Sequence, residues 1–530
     1  MTVTFNVCRV SVLTMQLRIN ENDDFITLSK PYDIRTHQVS DGKPGFVEFL
    51  SEKLHKSLFV VHPLDMGTSG LMILGKRKEA ADQLAALSEK QQIKKTYFFL
   101  TDKKSAVQEL NVTSHIGKQN ISYFNVNGKD PNSETALKFI RSVGKYFLWS
   151  AQPKSEMPQQ IRLHASLSKL PILGDVEHGG TKFFRLALHS QSLEFDFNGT
   201  THRFESELPP VFTQEFTSDL QTLFTENFAK RHQLYNITAG ESYRLIHLES
   251  NDIRADILND RLWIYDYSKH ALSEADKTEL AAFAELKKLK LIIRHMQNRG
   301  ESVGGLDNST LQVSSTETDW VATEESINYR LKIDSGYSSG LFLDQRENRK
   351  WVQQNSLNKR VLNLFSYTAG FSINAALGGA KEVTSVDVSP KFLEWGKENF
   401  RLNHVDPEKS EFVEQDCIGF LKAALKSDRK WDLIICDPPT MGRANDSIWR
   451  LESDLPMLAK NMFDCLNPGG QILFTCNLEK FSRSEIMDLF LKNLKKARLM
   501  NSRLPMQSLD YELTDDLNNL MKGFLITKSI

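Results

Sequence analysis

The chain has 530 residues, with 66 lysines and arginines against 67 aspartates and glutamates, a formal net charge of −1. At about 150 residues per domain that length implies three or four folding units, because a single hydrophobic core stops growing well below it. The 40% hydrophobic and 25% charged residues fit an ordinary soluble protein; no apolar run approaches the roughly 20 residues of a membrane span, and near-neutral charge excludes a broadly basic surface but not a basic face.

Met1 to Met15 lack the basic start, long apolar centre and small-residue cleavage site of a signal peptide, so they read as an extension ahead of a strand, with Met15 as an alternative start. Cys8, Cys417, Cys436, Cys465 and Cys476 are odd in number and include no CxxC pair. Neither a disulfide framework nor a metal site is expected, and a reducing cytoplasm is the expected location.

The first region, 1–208, is expected to be an α+β domain. Phe25 to Lys30 alternates, Leu71 to Leu74 and Tyr97 to Leu100 are compact apolar runs, and Glu79 to Glu89 carries apolar residues at helical spacing. Past Glu207-Leu208-Pro209-Pro210 the pattern changes, and 209–325 is expected to be a small α+β middle domain that binds RNA or links its neighbours. It has a helix from Ser218 to about Leu234 and strands at Tyr243–Ile246, Arg254–Leu258 and Leu262–Tyr265. Arg299 to Thr318, rich in Gly, Ser, Asn, Asp and Thr, reads as a mobile loop or an RNA-facing hairpin tip. In 326–530 strands at Val361–Phe365, Val383–Asp387, Glu411–Val413, Trp431–Cys436 and Gln471–Thr475 alternate with helices, which specifies an α/β doubly wound, Rossmann-like domain.

Ligands of such sheets bind at the carboxyl ends of the strands. Here the first strand runs into Phe365-Ser366-Tyr367-Thr368-Ala369-Gly370, a tight turn where ligand can approach backbone, and the second ends in Asp387, placed for a ribose diol. The third is followed by Asp416, placed for an adenine amino group, and the fourth by Asp437-Pro438-Pro439-Thr440, a rigid turn projecting carbonyls and one carboxylate.

This order of parts resembles the class I S-adenosylmethionine-dependent methyltransferases, and more closely the 23S rRNA methyltransferases of the RlmI and RlmK type, from about Glu226 to the C-terminus. Gly340-Leu341-Phe342-Leu343-Asp344-Gln345-Arg346, Leu362 to Thr368, Leu393-Glu394-Trp395 with Asn399-Phe400, and Asp437 to Thr440 carry the resemblance. It implies S-adenosyl-L-methionine as cofactor, held by Arg346, Phe365, Ser366, Tyr367, Thr368, Gly370, Asp387, Asp416 and Asp437. Ala369 stands where the family has glycine. Asp437 and Pro438 with the Leu509-Asp510-Tyr511 to Leu525 ending resemble the guanine N7 branch, in which side chains only orient a nitrogen that is already nucleophilic. Cys476 lies where the cytosine C5 branch has its thiolate nucleophile. With no visible base to activate it, the favoured reading is a small residue capping the strand.

Val60-Val61-His62-Pro63-Leu64-Asp65-Met66-Gly67-Thr68-Ser69-Gly70-Leu71 resembles the catalytic motif of RluA-type pseudouridine synthases, with Pro63 where that family has arginine. Lys30-Pro31, Lys95-Thr96-Tyr97, Gln160 to His164, Leu173-Gly174-Asp175 and Arg185 to His189 follow the family order. The resemblance makes Asp65 the catalytic carboxylate, Tyr97 the stacking partner of uracil, and Arg162 the partner that keeps Asp65 ionised. Ser155-Glu156-Met157-Pro158-Gln159 replaces Gly-Arg-Thr-His, and His178 replaces a tyrosine. The expectation is a bifunctional enzyme acting on RNA, most of all large-subunit rRNA. Two readings compete with it: a methyltransferase whose N-terminal half only binds RNA, and a methyltransferase of a protein or small molecule.

Overall fold

The computed structural model describes residues 20–37, 45–119, 122–214, 218–232, 234–235, 241–296, 311–313, 317–333, 338–439, 441–444, 447–476, 481–494, 499–500, 508, 510–511 and 522–528. The chain forms two compact units, 1–236 with 273–283, and 237–272 with 284–530. The stretch 209–325 is thus shared, its helix Asp219–His232 in the first unit and most of its strands in the second. Among the described residues no helix is long and apolar enough to cross a membrane.

The first unit is built on a ten-stranded sheet whose main path runs Asn20–Glu21, Phe25–Lys30, Ser69–Gly75, Leu188–Phe197, Lys94–Thr101, Tyr146–Pro153, Ser133–Val143, Glu109–Ser114. Ser69–Gly75 is buried at every position, which is why it reads as an apolar run rather than an alternating one. It pairs parallel with Leu188–Phe197 through Ser69↔His189 and Gly70↔Ser190. Gly70 has φ +109°, and a Cβ there would fall 2.2 Å from Ser190 O, so only glycine lets these strands meet. Helix Lys78–Glu89 buries Ala80, Ala81 and Leu84, the face expected from its spacing.

In the second unit five strands run in the order Tyr243–Ile246, Ile253–Leu258, Arg261–Asp266, Lys290–His295, Leu311–Val313. The described part of the expected 299–318 loop includes this last strand, paired with Ile292–Arg294; most of the rest lies outside the described residues. The seven-stranded sheet follows, in the order Glu411–Glu414, Glu382–Asp387, Arg360–Leu364, Trp431–Cys436, Leu466–Cys476, Lys522–Lys528, Leu499–Met500. Its first five strands are parallel; Lys522–Lys528 runs antiparallel to them, and Leu499–Met500 pairs antiparallel with Lys522–Lys528. All five parallel strands are those expected from sequence, and the order reverses between Arg360–Leu364 and Trp431–Cys436, the crevice where such sheets bind ligand. Leu258, Trp263 and Ile292 of the five-stranded sheet share one core with Trp320 and Tyr329 of the hairpin Asp319–Glu324/Ile327–Lys332 and with Ala369, Ile373 and Phe400 of the helices beside the seven-stranded sheet.

Candidate active sites

The loop carrying Asp65 is tied from below. Asp65 O accepts from Thr68 N at 3.0 Å, and the buried Lys30 Nζ donates to Pro31 O (2.9 Å), Ile34 O (2.7 Å) and Met66 O (3.1 Å). Beside the loop lies a cavity of about 360 Å³ whose lining includes His62, Pro63, Asp65, Tyr97, Glu156 and Arg162. The structure therefore gathers Asp65, Tyr97 and Arg162 around one space, although 97 residues separate the first from the last in sequence. Burial pushes the Asp65 carboxyl above its ordinary value against the pull of Arg162 and Lys30. Burial likewise raises the Tyr97 hydroxyl, so Tyr97 stays neutral and offers a ring face.

The expected Arg162–Asp65 pair is the weakest contact of that guanidinium. Arg162 Nη1 stands 3.9 Å from Asp65 Oδ2, whereas Nε and Nη2 bind Asp175 at 2.9 and 2.6 Å and Nη2 reaches Glu177 at 2.8 Å. The planar fork of arginine suits two-point binding of one carboxylate, and Asp175, fully buried, supplies it. Burial acts to raise Asp175, but His178 and Arg162 outweigh it and hold the carboxyl below its usual value. Asp175, Glu177 and His178 bring three possible metal-ligand atoms within 4.8 Å of one another; here Arg162 supplies the balancing charge. Lys95 and Glu156, which line the same cavity as Arg162, form an ion pair that sequence reasoning did not assign.

In the second unit the turn after Arg360–Leu364 contains three non-glycine residues with positive φ: Phe365 (55°), Tyr367 (48°) and Ala369 (60°). Such backbone persists only where the surroundings fix it. Asp387 does so, accepting from Tyr367 N through Oδ2 and from Ser389 N through Oδ1, both at 2.9 Å. Phe365 packs on Trp449 with ring centroids 5.1 Å apart, Thr368 Oγ1 donates to Gly340 O at 2.6 Å, and Gly370 opens helix Gly370–Leu377. Burial raises the Asp387 carboxyl against these backbone donors. The Ser366 hydroxyl is buried with no protein partner. That orphaned donor, in a backbone turn beside a carboxylate, fits a polar ligand such as the ribose and amino-acid portions of a nucleoside cofactor.

Asp437 and Pro438 follow strand Trp431–Cys436. Asn348 Nδ2 donates to Gln345 Oε1 (2.6 Å), Gln345 Nε2 to Thr475 Oγ1 (3.1 Å), and Thr475 Oγ1 to Asp437 Oδ1 (2.8 Å). This relay was not foreseen, since 130 residues separate Gln345 from Thr475; the only signal was the Gly340–Arg346 stretch. Burial raises Asp437 to about 7, against the hydrogen bond from Thr475. Trp449 Nε1 holds the same turn by donating to Pro439 O at 2.7 Å; Thr440 lies outside the described residues.

Three expected site residues are differently engaged. Asp416 caps helix Cys417–Lys426, its Oδ1 accepting from Gly419 N at 2.7 Å, so part of its acceptor capacity is spent on the helix end. Arg346 is 1% exposed and binds Glu324, Asp510, Ser508 and the Ser242 carbonyl. This buried network, which Arg349 joins through Glu324 at 2.7 Å, makes Arg346 a support of helix Arg346–Gln354. Cys476 is buried in an apolar core with Ile472, Phe474, Ile486 and Phe490. Side chains alternate along a strand, so Cys476 faces that core with Ile472 and Phe474, while Thr475 faces Asp437.

Comparison with known proteins finds relatives of both parts of the chain. Residues 24–167 match the family model of RNA pseudouridylate synthase, and residues 273–492 that of S-adenosylmethionine-dependent methyltransferase. The chain therefore fuses a pseudouridine synthase-like domain to a methyltransferase domain whose cofactor is S-adenosylmethionine. Over 202 residues it is 38% identical to the ribosomal RNA large subunit methyltransferase K/L of Shewanella pealeana, spanning 38% of this chain and 27% of that protein. The corresponding Shewanella sediminis protein is 37% identical over 215 residues, 40% of this chain and 29% of its own length. The chain thus spans less than a third of these curated relatives. A putative S-adenosylmethionine-dependent methyltransferase from Streptococcus mutans shares the fold, with a TM-score of 0.51 at 22% identity over 63% of this chain and 87% of that one.

Proposed function

We propose that the chain modifies RNA twice: the second unit methylates a base of large-subunit rRNA, guanine N7 in preference to cytosine C5, and the first isomerises uridine to pseudouridine. The observation that carries the methylation reading is the opposed orientation of Thr475 and Cys476. The Gln345–Thr475–Asp437 relay addresses the Asp-Pro-Pro turn, while the only thiol positioned by sequence to attack cytosine C6 is packed in the opposite core. Bound S-adenosylmethionine supplies a methyl group activated by its sulfonium. The Phe365–Gly370 turn, Asp387 and Asp416 hold the cofactor, with Arg346 supporting from behind, and Asp437 with Pro438 and Pro439 orients a base nitrogen that needs no covalent activation.

In the first unit, Asp65 serves the glycosidic rearrangement, in which N1–C1′ breaks, C5–C1′ forms, C5 loses its proton and N1 gains one. Tyr97 supplies the stacking face, and Arg162, positioned by Asp175, offers the nearest cation. The convergence of Asp65, Tyr97 and Arg162 on one cavity favours catalysis over a purely RNA-binding role. The relatives named for the rRNA large subunit support RNA as substrate. Incubating the full chain and labelled S-adenosylmethionine with total rRNA, followed by nucleoside mass analysis, tests the reading. Ribonuclease-sensitive 7-methylguanine is expected; 5-methylcytosine, or label that survives ribonuclease but not protease, overturns it.

A further inference from the structure

The cavity beside Asp65 contains an ion pair for which the isomerisation described above has no use. Glu156 Oε1 accepts from Lys95 Nζ and, at 2.6 Å, from Ser88 Oγ, while Lys95 Nζ also donates to Ser88 Oγ at 2.8 Å. This closed triangle fixes the Glu156 side chain. Its second oxygen, Oε2, makes no hydrogen bond among the described residues, and the side chain, 35% exposed, lines the cavity. Lys95 lines it too; two of its three ammonium protons are committed to Ser88 and Glu156, leaving one to give. The same wall carries His62 Nε2 and Gln159 Oε1, both buried and without a protein partner. The open Glu156 oxygen and the remaining Lys95 proton, side by side on one cavity, suit a ligand that carries its own donor and acceptor.

The charge of the cavity says which kind. Asp65 and Glu156 bring two carboxylates, Arg162 is matched by Asp175 and Glu177, and Pro63 contributes nothing. A phosphate is disfavoured there; a neutral base edge is not. An ammonium donor beside a carboxylate acceptor complements an adjacent C=O and N–H, the arrangement at O4 and N3 of uracil. Cytosine presents the reverse at the same two positions, an acceptor at N3 and a donor at N4. With the sugar held at Asp65 and the ring on Tyr97, the base cannot turn to exchange them, so a mismatched base would set donor against donor and acceptor against acceptor.

We propose that the Lys95–Glu156 pair reads the base in this cavity, Glu156 Oε2 accepting from uracil N3–H and Lys95 Nζ donating to O4, so that the site selects uridine over cytidine. This rests on the first unit binding a uridine, and does not require that it turn one over.

The test uses the full chain and three fluorescent pentanucleotides identical except for a central uridine, 3-methyluridine or cytidine, with binding followed by anisotropy. The wild type is expected to bind the uridine oligomer about tenfold more tightly than either of the others, and Glu156→Ala to bring the three within about twofold. Glu156→Gln keeps an amide oxygen on Lys95 and Ser88 and turns an N–H donor to the cavity, so its preference should move toward cytidine; being nearly isosteric, it carries the test if Glu156→Ala does not fold. A wild type that binds none of the three or does not distinguish them overturns the proposal, as does a variant of either kind with the wild-type preference. Tritium release from RNA labelled at uridine C5 separates the two claims: discrimination without release sinks the isomerase reading alone, and release without discrimination sinks the role of Glu156.

Discussion

Asp65 and Asp437 are both aspartates raised by burial, yet their surroundings are opposite. Asp65 sits with Arg162 and Lys30 as its leading attractive charges, on a loop whose backbone Lys30 anchors. Asp437 is held by a neutral relay from Asn348 through Gln345 and Thr475, and the charges of Asp344, which raises it, and Arg349, which lowers it, act in opposite directions. A carboxylate that must take part in bond rearrangement benefits from nearby cations, which favour its ionised form. One that only orients a base is better placed by directional hydrogen bonds, which fix its plane. On the proposed function, one residue type serves two chemistries, set by the neighbours that each fold supplies.

The sharpest way to break this comparison is Asp65→Asn. Tritium release from C5-labelled uridine RNA should fall by at least about 1,000-fold while methyl incorporation is unchanged; equal loss of both would mean that the two sites are not separate. Asp437→Asn should lower methyl transfer by about 100-fold and leave tritium release alone.

The same aspartate gives a pH signature. Below the unfolded value near 4 both states are protonated; between there and about 7 the unfolded chain ionises and the folded carboxyl does not. Wild-type stability should therefore decline as pH climbs through that window and level off above it, and Asp437→Asn should remove this part of the decline. Chemical denaturation at pH 5 and pH 8 checks it; an unchanged slope would place Asp437 in a wetter setting than the one described.

Cys476→Ala should keep methyl transfer within about twofold and cost about 1 kcal/mol of stability, from lost packing against Ile486 and Phe490. Abolished transfer would reverse the assignment of the methylated atom. The smallest effect is expected at Ala369, where φ is 60°: Ala369→Gly should stabilise the second unit by about 1 kcal/mol or less, because alanine is strained in that region and glycine is not.

The parallel strands around Asp387 and Asp437 were legible because strands covered on both faces appear as unbroken apolar runs. Their carboxyl ends then pointed to the Phe365–Gly370 turn, Asp387 and the Asp-Pro-Pro corner as the residues at the crevice. Less legible were the side chains that recruit partners from afar. The motif points Arg162 at Asp65, but Asp175 takes its Nε and Nη2 and leaves only Nη1 toward Asp65. Arg346, read from its motif as a ligand of the cofactor, proved to be held by Glu324 and Asp510 in a buried network. Glu156 registered only as a departure from a family pattern, with no hint that Lys95 would lock it in the cavity.

By itself the sequence determined that an α+β region and an α/β doubly wound region lie in one chain and where most of their strands fall, and it singled out Asp65, Asp387 and Asp437 as candidates, because hydrophobic period and turn residues are local properties. Tertiary structure alone decided what each carboxylate touches, which way Cys476 faces, and which polar atoms in the Asp65 cavity remain unpaired. Those outcomes depend on groups tens to hundreds of residues apart competing for the same hydrogen bonds, a competition that no local pattern encodes.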